Sequence, residues 1–140
     1  MNRLTLTLAT VLLLFTATLG QTNIAFRKAI RLENEGNVGE AILVYEDVLS
    51  KGRNTSVVYR LATAYKKVER YEDAIQLLEA RLKRAPGDVT AINRLGDVYL
   101  ASGKPDLADR QMERLLKISP NQGAFTSVGQ RYERLNQDSR

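Results

Sequence analysis

Between Val58 and Pro120 the order of apolar and polar positions occurs twice. Val58, Leu61, Ala62 and Tyr65 are followed by Ala74, Leu78 and Pro86; thirty-four residues later the same slots hold Ile92, Leu95, Gly96 and Tyr99, then Ala108, Met112 and Pro120. Within each copy the apolar residues recur three and four apart, which marks one face of an α-helix. Each copy therefore predicts two amphipathic helices. In the first copy, a helix starting near Tyr71 places Ala74, Ile75, Leu78 and Leu82 on one face. Ala85-Pro86-Gly87-Asp88 stops it, with Asp88 set to cap the next helix. In the second, Ser102-Gly103-Lys104 forms the turn, and Pro105 suits the first turn of the next helix, where a missing N–H costs nothing. Leu107, Ala108, Met112, Leu115 and Leu116 make that helix's buried stripe.

The pattern extends in both directions. Upstream, Asn23 to Lys51 predicts a helical hairpin: Ala25, Ala29 and Leu32 on one helix, Glu35-Gly36-Asn37 as the break, and Ala41, Ile42, Tyr45, Val48 and Leu49 on the other. Asn54, Thr55 or Ser56 can cap the third helix. The same triplet fits the N-glycosylation acceptor pattern, but such triplets arise often by chance and capping is the stronger reading. Downstream, Phe125, Val128, Gly129 and Tyr132 repeat the first-helix signature, offset by 33 residues. Either a polar-faced capping helix closes the array there, or the array continues.

A period in the twenties to forties points to stacked units rather than one globular core, since each hairpin is too small to bury its own apolar side. These residues and their spacing resemble the tetratricopeptide repeat, a helix–turn–helix unit of about 34 residues. The resemblance implies an all-α, right-handed α-solenoid of three repeats (about 22–54, 55–88 and 89–121) with a capping helix over 122–136. Residues 21–140 form the repeat domain. Ala41 and Tyr45 match the family's Ala-x3-Phe slot in the first unit, which is otherwise degenerate. Lys28 stands where a large apolar residue is expected, and Arg53 replaces the Pro. A terminal unit has only one neighbour to pack on, so departures are expected there. Small residues (Ala62, Gly96 and Gly129 in first helices, Ala74 and Ala108 in second helices) let helix axes approach closely. Tyr65, Tyr99 and Tyr132 read as packing residues at first-helix ends.

In arrays of this family the first helices line a concave groove, and the side chains facing it sit at the second, fifth, ninth and twelfth places of each unit. Carried onto this chain by register, these include Phe26, Ile30 and Glu33, then Tyr59, Thr63 and Lys66, then Asn93 and Asp97, with Gln130 from the capping helix. Such a surface suits an extended peptide or a partner helix: aromatic anchors give contact area and amides pair with peptide backbone. Arg94, with its equivalent Arg60, could pair with an acidic side chain of a ligand. Some members clamp a chaperone's C-terminal carboxylate with Lys and Asn at the fifth and ninth places of the first unit. Here those places hold Phe26 and Ile30, so that clamp is not supported.

Residues 1–20 differ from the rest. Asn2-Arg3 makes a short positive start, Leu4 to Leu19 is uncharged and rich in Leu and Thr, and Thr18-Leu19-Gly20 offers a small-residue exit before Gln21. This predicts a secretory signal peptide and export to the periplasm or beyond. The alternative is an uncleaved membrane anchor over residues 4–19, which falls short of the roughly 20 apolar residues a span needs. Membrane contact is expected only in that case.

Composition narrows the chemistry. The chain has no Cys and no His, which removes disulfides, thiolate metal sites, the usual general base and triads built on either residue. Carboxylate pairs such as Glu46-Asp47 and Glu72-Asp73 are adjacent on helices and point apart. No phosphate-binding glycine loop occurs. Neither catalysis, a cofactor, a metal nor a small-molecule substrate is expected. Net charge is +5, which favours acidic partners only mildly. Its basic blocks lie on amphipathic helices with acids nearby, as solvated faces rather than a nucleic-acid patch. The expectation is an adaptor or scaffold that binds a protein or peptide. The alternatives are a structural module that associates with its own copies, or the docking part of a larger cell-envelope protein.

Overall fold

The structure, a computed structural model, describes residues 22–52 and 54–120, together with positions 129, 130 and 133. Residues 1–20, expected to form a signal peptide, and Phe125, Thr126, Val128 and Tyr132 of the expected capping helix, lie outside the described residues. Six consecutive helices occupy 22–120: α1 (22–34), α2 (Val38–Ser50), α3 (Thr55–Lys67), α4 (Tyr71–Arg84), α5 (Val89–Ala101) and α6 (Pro105–Ile118). They succeed one another as sequential pairs, the arrangement the repeat predicts. The chain divides into two compact units, one ending at Ala64 and the other starting at Tyr65, so the division falls inside α3.

In the first unit, Ala29 of α1 and Ala41, Ile42, Tyr45 and Val48 of α2 are buried, while Ala25, Leu32 and Leu49 are half-buried. The α1–α2 turn is closed by two backbone bonds, Gly36 N–H to Glu33 C=O at 3.2 Å and Asn37 N–H to Leu32 C=O at 2.9 Å. Gly36 between them has φ +85°, the left-handed conformation a glycine adopts without strain. Lys28, the departure from the repeat pattern, is exposed, as a cation replacing an apolar residue must be. Of the three capping candidates for α3 the structure selects Asn54, whose Oδ1 accepts from the N–H groups of Ser56 (2.9 Å) and Val57 (3.3 Å).

In the second unit the same turn recurs twice. Arg70 N–H reaches Tyr65 C=O at 2.9 Å and Lys104 N–H reaches Tyr99 C=O at 2.8 Å, around positive-φ residues Glu69 and Gly103. Where the other turns place glycine, Glu69 holds φ +60°. Arg70 steadies that corner: its guanidinium lies 4.4 Å from the centre of the Tyr65 ring, and its Nε donates to Asp73 at 2.6 Å. Asp88 joins two helices. Its Oδ1 accepts from Ala91 N–H at 3.1 Å to cap α5, and its Oδ2 accepts from Arg81 Nε of α4 at 2.7 Å. Pro105 opens α6 as expected.

The core of the second unit centres on α5, which packs against both α4 and α6. A helix covered on two sides buries more than one stripe. Accordingly Ala91 and Val98 are buried along with the expected Ile92, Leu95, Gly96 and Tyr99. The same broadening marks α3, where Val57 and Ala64 are buried and Val58, expected inside, is half-buried. Ala74, Ile75, Leu78 and Leu82 of α4 and Ala108, Met112 and Leu115 of α6 complete the core, with Leu107 and Leu116 only half-buried. Each fully covered leucine, such as Leu78 or Leu115, contributes about 1.5–3 kcal/mol relative to exposure.

Candidate functional site

Eight of the nine residues singled out from the sequence fall on first helices, in both units. Phe26 and Ile30 lie on α1 and Tyr59 and Thr63 on α3 in the first unit. Lys66 closes α3 in the second, with Asn93, Arg94 and Asp97 on α5 and Gln130 at a helical position near the end. All are half-buried except Gln130, which is exposed. Half-burial leaves each of these eight with some surface that a partner could meet.

The structure sorts these residues by what their side chains already do. Phe26 packs on Tyr45, ring centres 6.0 Å apart, so part of its surface serves the fold. The Thr63 hydroxyl donates to the Tyr59 carbonyl at 3.0 Å, one turn back on its own helix. Asn93 and Asp97 sit four residues apart on α5, one above the other on a face bounded by buried Ile92, Leu95 and Gly96.

Three sequence expectations change. Register places Glu33 in the groove, yet its side chain is only 8% exposed. Its Oε2 accepts from the Tyr45 hydroxyl at 3.0 Å and from Arg60 at 3.3 Å. A buried carboxylate needs such donors, so Glu33 serves the interior of the first unit. Arg60, expected to meet an acid on a ligand, meets this one instead. Gly129, placed among the close-packing small residues, is exposed, with nothing within 4 Å of where its Cβ would stand.

Tyr45 and Tyr99 are held as neutral phenols. Burial first, then the hydrogen bond and charge of Glu33, push the Tyr45 hydroxyl up to about 12, with Arg60 pulling the other way. Tyr99, bonded to Glu79 at 3.0 Å, is likewise pushed up to about 12 by burial, that bond and the charges of Glu79 and Glu72. Tyr65 and Tyr99 are 8% and 6% exposed, which confirms them as packing residues; Tyr132 lies outside the described residues. Among the described residues, no group of three or more acidic side chains could hold a metal, and no helix is long and apolar enough to cross a membrane.

A family model for the tetratricopeptide repeat matches residues 32–95 and again 67–128. No curated protein sequence matches significantly. Among solved structures, MamA from Desulfovibrio magneticus RS-1 is 26% identical with a TM-score of 0.61, over 71% of this chain and 56% of that one. The chain thus spans little more than half the length of that structure. The first tetratricopeptide domain of Spaghetti (RPAP3), bound to the HSP90 peptide SRMEEVD, superposes with a TM-score of 0.67 at 20% identity, over 82% of this chain and 93% of that one. Matched in sequence along most of its described length and built from the same paired helices, the chain belongs to the tetratricopeptide repeat family of protein–protein interaction modules.

Proposed function

We propose that this chain is an exported adaptor that binds an extended segment of another polypeptide, with α5 of the second unit supplying the polar contacts. The observation that carries the reading is the Asn93–Asp97 pair. Two half-exposed polar groups stand one turn apart on a helix whose buried residues fix its position. An Asn amide can donate to and accept from a peptide backbone, and Asp97 selects for a basic or donor-bearing neighbour on the ligand. The first unit carries a surface of its own, where Ile30 and Tyr59 offer apolar and aromatic contact area of the kind that anchors a peptide. Peptide binding by the structurally similar Spaghetti domain supports this class of occupant. With Phe26 and Ile30 at the clamp places, we expect a ligand other than a chaperone tail. Export rests on the uncharged run from Leu4 to Leu19 behind Arg3.

The test is affinity capture from cell-envelope extract, comparing the wild type with a variant carrying Tyr59→Ala, Asn93→Ala and Asp97→Lys. The variant should lose the partners that the wild type retains while keeping its helical melt. Equal capture by both would reject the assignment. Export is checked separately, by N-terminal sequencing of protein from the periplasmic or extracellular fraction, expected to begin at Gln21.

A further inference from the structure

The two most exposed large apolar residues among those described both lie in the first unit, Ile24 at 70% and Leu43 at 64%. Each sits in a charged stripe. On α1, Arg27, Lys28 and Arg31 stand three, four and seven residues beyond Ile24, so the four share one face, and all are exposed. On α2, Glu40, Leu43 and Asp47 share a face in the same way, all exposed. Both stripes cover about 10 Å, seven residues at a rise of about 1.5 Å each. One is basic and the other acidic. The side chains of Arg27, Lys28, Arg31 and Glu40 have no ion-pair partner among the described residues. Asp47 is paired with Lys51 at 2.7 Å, but both side chains are more than half exposed, and such a pair is weak enough to exchange.

We propose that these stripes are a self-association surface: the basic face of α1 in one copy of the chain seats on the acidic face of α2 in a second copy. An aliphatic residue flanked by charges on each side gives the small apolar centre and charged rim of a protein interface. Charge complementarity sets the partner, because α1 against α1 would oppose cations to cations and α2 against α2 acids to acids. The contact joins two different patches. It closes as a pair if both α1–α2 contacts form at once, and extends into chains if they do not. An anionic lipid surface would account for the basic stripe alone and leave Leu43 between its acids without a role. None of the residues assigned to peptide binding lies in either stripe, so failure of one reading leaves the other standing.

The experiment is sedimentation velocity on the full chain over a concentration series, at low and high salt. The wild type should gain mass with concentration and lose it as salt rises. Arg27→Glu with Arg31→Glu should weaken association at least about tenfold, and Glu40→Arg with Asp47→Arg should do the same. Mixing the two variants should restore it, because each then offers the charge the other now needs. Circular dichroism confirms that both variants stay folded, and the leader is common to all samples. A wild type that remains monomeric to about 1 mM overturns the proposal. So does an α1 variant that associates like the wild type, or a mixture that fails to recover. Binding of a monomeric wild type to phosphatidylglycerol vesicles, lost in the α1 variant, would also overturn it and give the basic stripe to the membrane.

Discussion

Replacing Tyr45 by Phe removes one oxygen atom and tests how the first unit is held together. In the structure that oxygen donates to Glu33 Oε2 at 3.0 Å, and the ring around it is fully buried. The Phe variant keeps the packing, including the contact with Phe26, and deletes only the donor. A hydrogen bond to a charged acceptor contributes about 1.5–3 kcal/mol, and most of that is lost when the acceptor stays buried. Glu33 does stay buried, but Arg60 remains 3.3 Å from the same oxygen. The expected loss is therefore about 2 kcal/mol near pH 7, in the lower half of that range. Urea unfolding followed by circular dichroism measures it. The pH dependence supplies a second readout. Because the Tyr45 hydroxyl titrates near 12 in the folded chain and near 10 when unfolded, the folded state holds its proton more tightly. Its contribution is complete below pH 10 and declines as the pH rises toward 12. The gap between wild type and Tyr45→Phe should narrow over that window. A loss below about 0.5 kcal/mol, or a gap that stays constant through alkaline pH, would refute the account of Glu33 as a buried acceptor.

Three further tests probe the repeat architecture. Glu69→Gly should stabilise by about 0.5–1 kcal/mol, since glycine relieves a left-handed residue at φ +60° but costs chain entropy; urea titration gives the sign, and destabilisation would contradict the strain. Ala108→Leu should cost about 1–3 kcal/mol by overpacking the α5–α6 contact, while Ala101→Leu at an exposed position should leave the thermal midpoint nearly unchanged. Asp88→Ala should cost about 2 kcal/mol, roughly twice Asn54→Ala, because Asp88 both caps α5 and pairs with Arg81 from a position only 9% exposed. Equal losses in the two cap variants would mean that the Arg81 pair adds nothing.

The parts of the fold legible in the sequence are those decided within a few residues. Gly36, Gly103, Pro105 and Asp88 announce turns and caps because each answers a backbone demand where it stands. The apolar stripes of α4 and α6 come from a period of 3.6. Periodicity fails at the margin of a stripe: it places Val58 inside α3, whereas Val58 is half-buried and Val57 and Ala64 are buried. It fails again at Glu33, whose partners Tyr45 and Arg60 lie 12 and 27 residues away. No local pattern distinguishes a glutamate with distant donors from one facing solvent. The left-handed Glu69 carries no glycine to reveal it. Ile24 and Leu43 read as ordinary apolar residues, and only their exposure in the fold sets them apart.

The same physics explains why the architecture is easier to read than the ligand. Along α5 the residues alternate in duty: Ala91, Ile92, Leu95, Gly96, Val98 and Tyr99 are buried, and Asn93, Arg94, Asp97 and Leu100 reach the surface. The first set is constrained by close packing, where one methylene too many or too few costs stability, so its pattern must persist from repeat to repeat. The second set carries little of that constraint, and substitutions at such positions usually change stability by no more than about 0.5 kcal/mol. On the proposed reading, its chemistry is the part of the helix left open to answer to a partner. Val57, Leu61 and Ala64 therefore have recognisable counterparts in Ala91, Leu95 and Val98, whereas Tyr59 and Thr63 are followed by Asn93 and Asp97, sharing position and not character. A repeat that separates holding from reading in this way can exchange ligands without rebuilding its core.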